Sequence, residues 1–236
     1  MSAAAPLSVV IPTLNEAANI GRLIAALRAQ DTPCEIVVAD GGSDDGTAGI
    51  ADEAGANVIG APRGRGQQLR AGAEAARGAV LLFLHADSVL RPGALAAILA
   101  ALEARPEAPG GNFRILFDGD EPFDRWLERA YAWWRGHGWY YGDSGIFVRR
   151  AVYDAIGGVR PISLMEDYDL VRRLEAAGPT ICVVEPPIVT SSRRFRRRNK
   201  LAVVCGWLCI HALYHLGVAP ERLARSYYRA AFRSQS

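Results

Sequence analysis

The chain has 236 residues, enough for one large domain or for a core domain with a modest appendage. Half of the residues are hydrophobic, 22% are charged, and glycine and proline follow no period, so the composition is that of a globular α/β protein and excludes a largely disordered one. The formal net charge of +2 is too small to indicate nucleic-acid binding by itself.

The first half of the chain alternates short, nearly all-apolar runs with Ala/Leu-rich segments of helical period. This pattern predicts an α/β fold with a mostly parallel, Rossmann-like sheet covered by helices. The predicted strands are residues 7–11, 35–39, 57–59 and 80–84. The predicted helices between them are residues 19–29, 45–54 and 67–77.

The rhythm changes in the second half, which we expect to handle a second substrate. The predicted elements there are a helix over 92–104, a strand over 113–117, an aromatic segment over 123–141, strands over 145–149 and 181–184, and a short helix starting near Glu166. We divide the chain into a main domain over 1–195 and a C-terminal helical appendage over 196–236.

The longest apolar stretch, residues 201–218, is close to the length of a membrane span but contains His211 and His215. We therefore expect it to lie on a membrane surface or in a homodimer contact, or to be a plain buried helix, and not to cross the bilayer. Residues 1–6 lack a basic region followed by an apolar run, which predicts a cytoplasmic protein. The basic run over 193–200 adds the alternative of a peripheral location on the inner face of the membrane.

Four cysteines are scattered along the chain without CxxC spacing, which argues against a structural zinc site. They are Cys34, Cys182, Cys205 and Cys209. We expect them to be reduced and mostly buried.

Polar residues follow three of the predicted strands, at the edge where an open α/β sheet binds its ligands. These segments read PTLNE from Pro12, DGGSDDGT from Asp40 and HADS from His85. Asp40 precedes two glycines, so it can contact a base or ribose, or it can hold a tight turn before the next helix. The first of the three segments carries no GxGxxG, which disfavours a dinucleotide-binding fold.

The candidates for contacts with a phosphorylated ligand are Asp87, His85 and the loop over 63–70. Asp87 follows an apolar strand, where a carboxylate can hold a divalent cation together with substrate phosphates; a helix cap is the alternative. His85 is either a nucleotide contact or a buried, hydrogen-bonded histidine. The Gly/Arg-rich loop over 63–70 suits a pyrophosphate, with a solvated loop as the alternative.

Together these stretches resemble family 2 glycosyltransferases of the GT-A fold. The similarity lies in SVVIPTLNEAANI, VVADGGSDDGT, RGRGQQLRAGAEAARG and LLFLHADS, the last where that family carries a DxD-like motif. It continues with GDSGIFVRR over 142–150 and with LMED over 164–167, which is similar to the family's acidic acceptor-side motif. The resemblance covers residues 7–195. The ending LGVAPERLARSYYR is also similar to a bacterial subgroup found beside radical-enzyme and arsenosugar genes.

The resemblance implies transfer of a sugar from a UDP- or GDP-sugar donor to an acceptor hydroxyl, with Mn²⁺ or Mg²⁺ held by Asp87 and with inversion at the anomeric carbon. The implied base is Asp167, with Glu166 as the alternative. The implied nucleotide-sugar contacts are Pro12, Thr13, Asn15, Glu16, Asp40, Gly42, Arg65, Arg70, His85, Ala86 and Asp87. One position departs from the family, because His85 stands where the first acid of the DxD is expected, which leaves Asp87 as the motif's only carboxylate.

Acceptor-binding residues are expected in the aromatic segment and just after it. Trp139 and Tyr141 can form a platform for the acceptor, because aromatic faces pack on sugars and bases, although core packing is the commoner role of such residues. Asp143 can bond a substrate hydroxyl or can belong to a turn that enters the next strand.

Two other functions are compatible with parts of the sequence. A nucleotidyltransferase would place its arginine-containing glycine loop after the first strand, but here that loop comes some fifty residues later. A basic binding module without catalysis could use the run over 193–200 to contact nucleic acid or a membrane. No recognised nucleic-acid motif surrounds that run, so no nucleic-acid partner is expected.

Overall fold

The computed structural model of the chain describes residues 5–192 and 199–233. Its strands are β1 (Leu7–Thr13), β2 (Cys34–Asp40), β3 (Asn57–Gly60), β4 (Val80–Phe83), β5 (Gly110–Phe117), β6 (Ile146–Arg149) and β7 (Ile181–Thr190). Its helices are α1 (Ala17–Arg28), α2 (Thr47–Glu53), α3 (Arg65–Ala75), α4 (Ala94–Ala104), α5 (Pro122–Gly136), α6 (Arg150–Ala155), α7 (Glu166–Ala177), α8 (Lys200–His215) and α9 (Pro220–Arg233), with a 3₁₀ turn at Gly142–Ser144.

The strands form one seven-stranded sheet in the order β3-β2-β1-β4-β6-β5-β7. Strands β1 to β4 are parallel, β6 is antiparallel to both of its neighbours, and β7 is parallel to β5. Thr13 lies opposite Asp40 in the register of β1 and β2, so the polar segments that follow these strands meet at one edge of the sheet. This mostly parallel, helix-flanked sheet confirms the predicted fold class.

The sheet is buried on both faces, as its nearly all-apolar strands predict. Along β1, Val9 and Ile11 pack against one core cluster, which includes residues of α1 and α4. Val10, which points to the opposite face, packs against the other cluster, with Leu69 of α3 and Leu170 of α7. Both clusters end near the polar edge, so the rigid sheet positions the site.

Several elements of the second half were predicted too short or were missed. The aromatic segment over 123–141 contains α5, which begins at a capping box formed by Glu121 and Asp124. The short helix expected near Glu166 is α7, with 12 residues. Strand β7 continues beyond the predicted end through Pro186, which an edge strand tolerates because one side of it needs no hydrogen bonds. Helix α6 was not predicted, and α9 lies in the segment that was predicted to be helical without bounds for its individual helices.

Helix α8 contradicts the alternative of a plain buried helix. None of its residues is buried, and Leu201 and Leu208 are 72% and 55% exposed. The cysteines also correct an expectation, since all four are free thiols but Cys205 and Cys209 of α8 are exposed and the other two are half-buried. Most of the basic run, residues 193–198, lies outside the described residues. Within the described part of the chain, no helix has both the length and the apolarity to cross a bilayer.

Candidate active site

Asp40 ties together the loops that follow β1 and β2. Its Oδ1 accepts hydrogen bonds from the hydroxyls of Thr13 at 3.0 Å and Ser43 at 2.5 Å, and its Oδ2 accepts from the backbone N–H groups of Gly42 at 3.0 Å and Ser43 at 2.8 Å. Burial alone would raise the pKa of Asp40, but these bonds outweigh it and hold the pKa below its ordinary range. The carboxylate is therefore ionised and holds the turn; a nucleotide contact would have to replace one of these four donors.

The loop after β1 is held against the loop after β2 by backbone and side-chain bonds. Asn15 has a positive φ of 56°; its N–H donates to the Ser43 hydroxyl at 2.9 Å, and its Oδ1 accepts from the Asp44 N–H at 3.0 Å. The Glu16 N–H donates to the Thr47 hydroxyl at 2.8 Å. The two loops thus form one preorganised polar surface beside Pro12 and Thr13.

Helix α3 brings the Gly/Arg-rich loop to the same edge. Gln68 of this helix donates to the carbonyl oxygens of Thr13 at 2.6 Å and Ala39 at 3.0 Å. Gly66 has no room for a side chain, because a Cβ there would lie 2.8 Å from the carbonyl oxygen of Arg160, in the loop before α7. This close approach places Arg65, the first residue of α3, beside the first turn of α7.

A cavity of about 190 Å³ opens next to this junction. It brings together seven of the residues predicted from the sequence, from both the donor and the acceptor sets: Arg65, His85, Asp87, Trp139, Tyr141, Asp143 and Asp167. The remaining predicted residues do not line it. Pro12, Thr13, Asn15, Glu16, Asp40 and Gly42 belong to the neighbouring loops, Ala86 is buried, and Arg70 is exposed and pairs with Glu74 at 2.9 Å.

The acidic pair at the start of α7 is asymmetric. Glu166 is 2% exposed, does not line the cavity and forms a close ion pair with Arg65. Burial raises the pKa of Glu166, and repulsion from Asp167 adds to this, against the opposing effect of Arg65. Burial would also raise the pKa of Asp167, but Arg65, two backbone N–H groups and His85 hold it below its ordinary range. Of this pair, Asp167 is thus the ionised carboxylate and the one that faces the cavity.

Asp167 is oriented by main-chain donors on both oxygens. The Gly142 N–H donates to Oδ2 at 2.9 Å and the Tyr168 N–H donates to Oδ1 at 2.7 Å, while Arg65 Nη2 lies 3.4 Å from Oδ2. A Cβ on Gly142 would lie 2.9 Å from His85 Nε2 and 3.1 Å from Asp167 Oδ2. The glycine therefore allows His85, the 3₁₀ turn and the acidic residue to converge.

Asp87 lies just beyond β4, half-buried, and lines the cavity with His85, Asp143 and Asp167. Among the described residues, no three His, Cys, Asp or Glu side chains cluster closely enough to form a metal cage. Mn²⁺ and Mg²⁺ sites that serve phosphates need only one or two protein carboxylates, because the phosphates and water complete the shell. Asp87 fits such a site.

The wall opposite the sheet edge is aromatic and comes from α5 and α8. The hydroxyl of Tyr131 donates to Asp143 Oδ2 at 2.8 Å, and the hydroxyl of Tyr141 lies 3.2 Å from His211 Nδ1. Burial lowers the pKa of His211, and nearby His215 lowers it further. This contribution of α8 was not predicted from the sequence, although the two histidines that interrupt its apolar stretch indicate a polar contact there.

Backbone strain marks the site as well. In the part of the chain that the structure describes, Asn15 and Met165 are the two non-glycine residues with positive φ, at 56° and 65°. The first follows β1, and the second lines the cavity directly before the acidic pair. Such strained positions concentrate at functional sites.

The family described as "Glycosyl transferase family 2" matches the chain over residues 8–157, which is more than half of its length. A comparison with the curated proteins found no match.

Solved structures with a similar fold include a mannosyltransferase, a synthase and TarS. The mannosyltransferase PcManGT from Pyrobaculum calidifontis, in complex with GDP-Man and Mn²⁺, has 18% identity and a TM-score of 0.67 over 96% of this chain and 70% of its own. Glucosyl-3-phosphoglycerate synthase from Mycobacterium tuberculosis, in complex with Mn²⁺, UDP and glucosyl-3-phosphoglycerate, has 21% identity and a TM-score of 0.61 over 91% and 81%. TarS 1-349 from S. aureus, in complex with UDP-GlcNAc, has 17% identity and a TM-score of 0.62 over 79% of this chain and 58% of its own, less than two thirds of that protein. At these identities the similarity establishes the shared GT-A fold.

Proposed function

The chain belongs to glycosyl transferase family 2, and we propose that it transfers a hexose from a UDP- or GDP-sugar to an acceptor hydroxyl with the help of Mn²⁺ or Mg²⁺. One observation carries the proposal: Asp87 and Asp167 line the same cavity, beside the polar loops that follow β1 and β2. The similar structures in complex with GDP-Man and Mn²⁺, with UDP-GlcNAc, and with UDP and Mn²⁺ support the donor class.

In this reaction Asp167 acts as the general base. Its carboxylate faces the cavity, and it can accept the proton of the acceptor hydroxyl as the oxygen attacks the anomeric carbon. Glu166 does not line the cavity and is held by Arg65, so it has a supporting role next to the base and does not face the substrate. With one base and no second nucleophile assigned, the transfer is a direct displacement with inversion of the anomeric carbon.

The donor lies along the edge formed by the loops after β1 and β2. The surface around Thr13, Asn15 and Asp40 receives the nucleoside, and Arg65 at the start of α3 faces the phosphates. A divalent ion held by Asp87 would neutralise the charge that develops on the leaving nucleoside diphosphate. The protein's own part is to fix that carboxylate at the end of a rigid strand.

A thermal-shift and hydrolysis screen of UDP-, GDP- and dTDP-sugars, with and without Mn²⁺ or Mg²⁺, tests the donor class, since a bound ligand raises the stability of the folded state. Asp87→Asn should lose the metal-dependent part of donor affinity in calorimetry. Asp120→Asn, at a fully exposed carboxylate outside the cavity, should bind like the wild type. Equal donor affinity of Asp87→Asn and wild type with metal present would contradict the metal role.

Adding UTP and GTP to this screen, with assays for released pyrophosphate and nucleoside diphosphate, separates the second candidate. A nucleotidyltransferase would release pyrophosphate from a nucleoside triphosphate, whereas the proposed enzyme would release a nucleoside diphosphate from a sugar donor.

The location of the enzyme is part of the proposal. We place it in the cytoplasm, with the exposed side of α8 in contact with the inner face of the membrane or with a second copy of the chain. Leu201, Leu208 and Leu216, at 72%, 55% and 79% exposure, supply the apolar surface for either contact.

A further inference from the structure

The cavity divides into a polar end and an apolar wall. The polar end lies at the sheet edge and holds Arg65, His85, Asp87 and Asp167. The wall is built from aromatic and aliphatic side chains of α5, α8 and the loop before α7. Four polar residues line the cavity on this side too: Asp143, Thr190, Ser191 and His211. Asp143 and His211 each contact a tyrosine hydroxyl, and the Ser191 hydroxyl donates to Asp118 Oδ2 at 3.3 Å.

The aliphatic part of the wall distinguishes the possible acceptors. A sugar needs hydrogen-bond partners for its hydroxyls, and it can stack on an aromatic face, but Leu164, Val204, Leu208 and Ile210 offer neither. These side chains match methylene groups, whose burial is favourable by about 0.8 kcal/mol each.

At the mouth of the cavity, the described part of α8 is apolar as well. Leu208 lines the cavity and is nevertheless 55% exposed, so the lining continues onto the outer surface of α8. The cavity, at about 190 Å³, is smaller than the roughly 300–1,000 Å³ of pockets that enclose drug-sized ligands. A long apolar chain would therefore begin inside the cavity and leave it across Leu208.

We propose that the acceptor is an amphiphile, with a hydroxyl-bearing head at Asp167 and an aliphatic chain that lies along the wall and leaves past Leu208. The role of the amphiphile as acceptor rests on the proposed function, whereas its binding in the cavity does not. An amphiphile suits a site with charged groups at one end and hydrocarbon at the other. Its polar head exchanges water for charged and hydrogen-bonding partners, and its alkyl chain leaves water for apolar side chains.

The test is a series of n-alkyl β-glucosides from methyl to octyl, used below their micelle concentrations. Trp134, Trp139 and Trp207 line the cavity and are three of the five tryptophans, so intrinsic fluorescence reports binding without donor or turnover. Affinity should rise by up to about fourfold for each added methylene. The longer glucosides should also be the better acceptors for the donor found in the screen.

A matched pair of leucine variants on α8 tests where the alkyl chain of the ligand lies. Leu208→Ala should weaken binding of octyl glucoside by about threefold to tenfold and leave methyl glucoside unchanged. Leu201→Ala removes the same atoms from an exposed position of the same helix outside the cavity lining and should bind both glucosides like the wild type.

Three results would overturn the inference: affinity that does not depend on chain length, equal effects of the two variants, or transfer to free sugars as efficient as transfer to alkyl glucosides. Failure of the proposed function looks different. In that case no nucleoside-diphosphate-sugar binds with metal, whatever the alkyl glucosides do.

Discussion

Asp167 and Glu166 are neighbours in the chain, but their surroundings give them different chemistry. Asp167 accepts backbone N–H groups on both oxygens and faces the cavity, whereas Glu166 is enclosed with Arg65. Backbone donors favour the charged carboxylate, and enclosure disfavours it. Asp167 can thus serve as the base, and Glu166 can have the supporting role.

Asp167→Asn should lower turnover by roughly 10² or more, because the amide cannot take a proton. Donor affinity should change little. The N–H₂ of the introduced amide would face one of the two main-chain N–H donors, of Gly142 or Tyr168, and would leave it without an acceptor. The free energy of unfolding should therefore also fall by about 1–3 kcal/mol. Single-turnover kinetics, calorimetry and urea unfolding measure the three effects.

Glu166→Gln is the comparison for this prediction. If it abolishes turnover while Asp167→Asn remains active, the base is Glu166. If both variants stay active, the acidic pair has a structural role and the assignment of the base fails.

Asp40 predicts a pH dependence of stability. Its pKa is lower in the folded protein, owing to bonds from Ser43, Thr13 and Gly42 that outweigh burial. Its contribution is therefore fully present above the unfolded pKa of about 3.9 and is lost as the pH falls toward the folded value. The unfolding free-energy difference between wild type and Asp40→Asn should be constant above about pH 5 and should shrink below it.

Urea unfolding at a series of pH values checks this prediction. Asp31→Asn, at an exposed aspartate, is the control and should show no such change. A difference for Asp40→Asn that stays constant down to the acid transition would mean that the carboxylate does not hold the turn through its charge.

At the scale of elements, two helical glycines predict opposite outcomes for the same substitution. Gly72 of α3 packs against β1, where a Cβ would lie 2.4 Å from Val10 Cγ1. Gly49 of α2 has open space at the corresponding point. Gly72→Ala should destabilise the protein by about 1–3 kcal/mol, because overpacking exceeds the gain in helix propensity. Gly49→Ala should stabilise it by about 0.4–1 kcal/mol.

Chemical unfolding of the two variants compares these signs directly. Because the host protein, the residue types and the helical context match, the difference reports the distance between α3 and β1. A stabilising Gly72→Ala would mean that the helix lies farther from the sheet than the structure has it.

The elements also explain what could be predicted from the sequence. Strands β1, β2 and β4 are buried on both faces, so their all-apolar runs and the polar residues after them located the edge and most of the residues that meet there. The cavity wall was harder to predict, because α8 contacts the cavity with one side only and is apolar nearly all round, so its sequence does not show which side that is. Nothing in the local pattern of Arg65 indicated its pairing with Glu166, which arises from the close approach of Gly66 to the loop before α7.

At the scale of the whole molecule, the four thiols differ in exposure: two are half-buried in the body of the domain, and two are exposed on α8. Burial raises the pKa of Cys34 to about 11 and raises that of Cys182 as well, whereas Cys205 and Cys209 are exposed one turn apart on α8. The thiolate is the reactive form. The chain therefore presents its accessible thiols on the side of α8 that faces away from the sheet.

Native protein treated with an aromatic disulfide at pH 8 should thus show two fast thiols and two that react only slowly or on unfolding. A Cys205→Ser/Cys209→Ser variant should lose the fast phase, and fast reaction of Cys34 would contradict the packing of β2.

The same thiol reaction distinguishes the contacts proposed for α8. Protection by anionic but not zwitterionic vesicles would favour the membrane contact, and protection that grows with protein concentration would favour a second copy of the chain. If neither slows the fast phase, the apolar side of α8 is open to solvent, and both contacts are rejected.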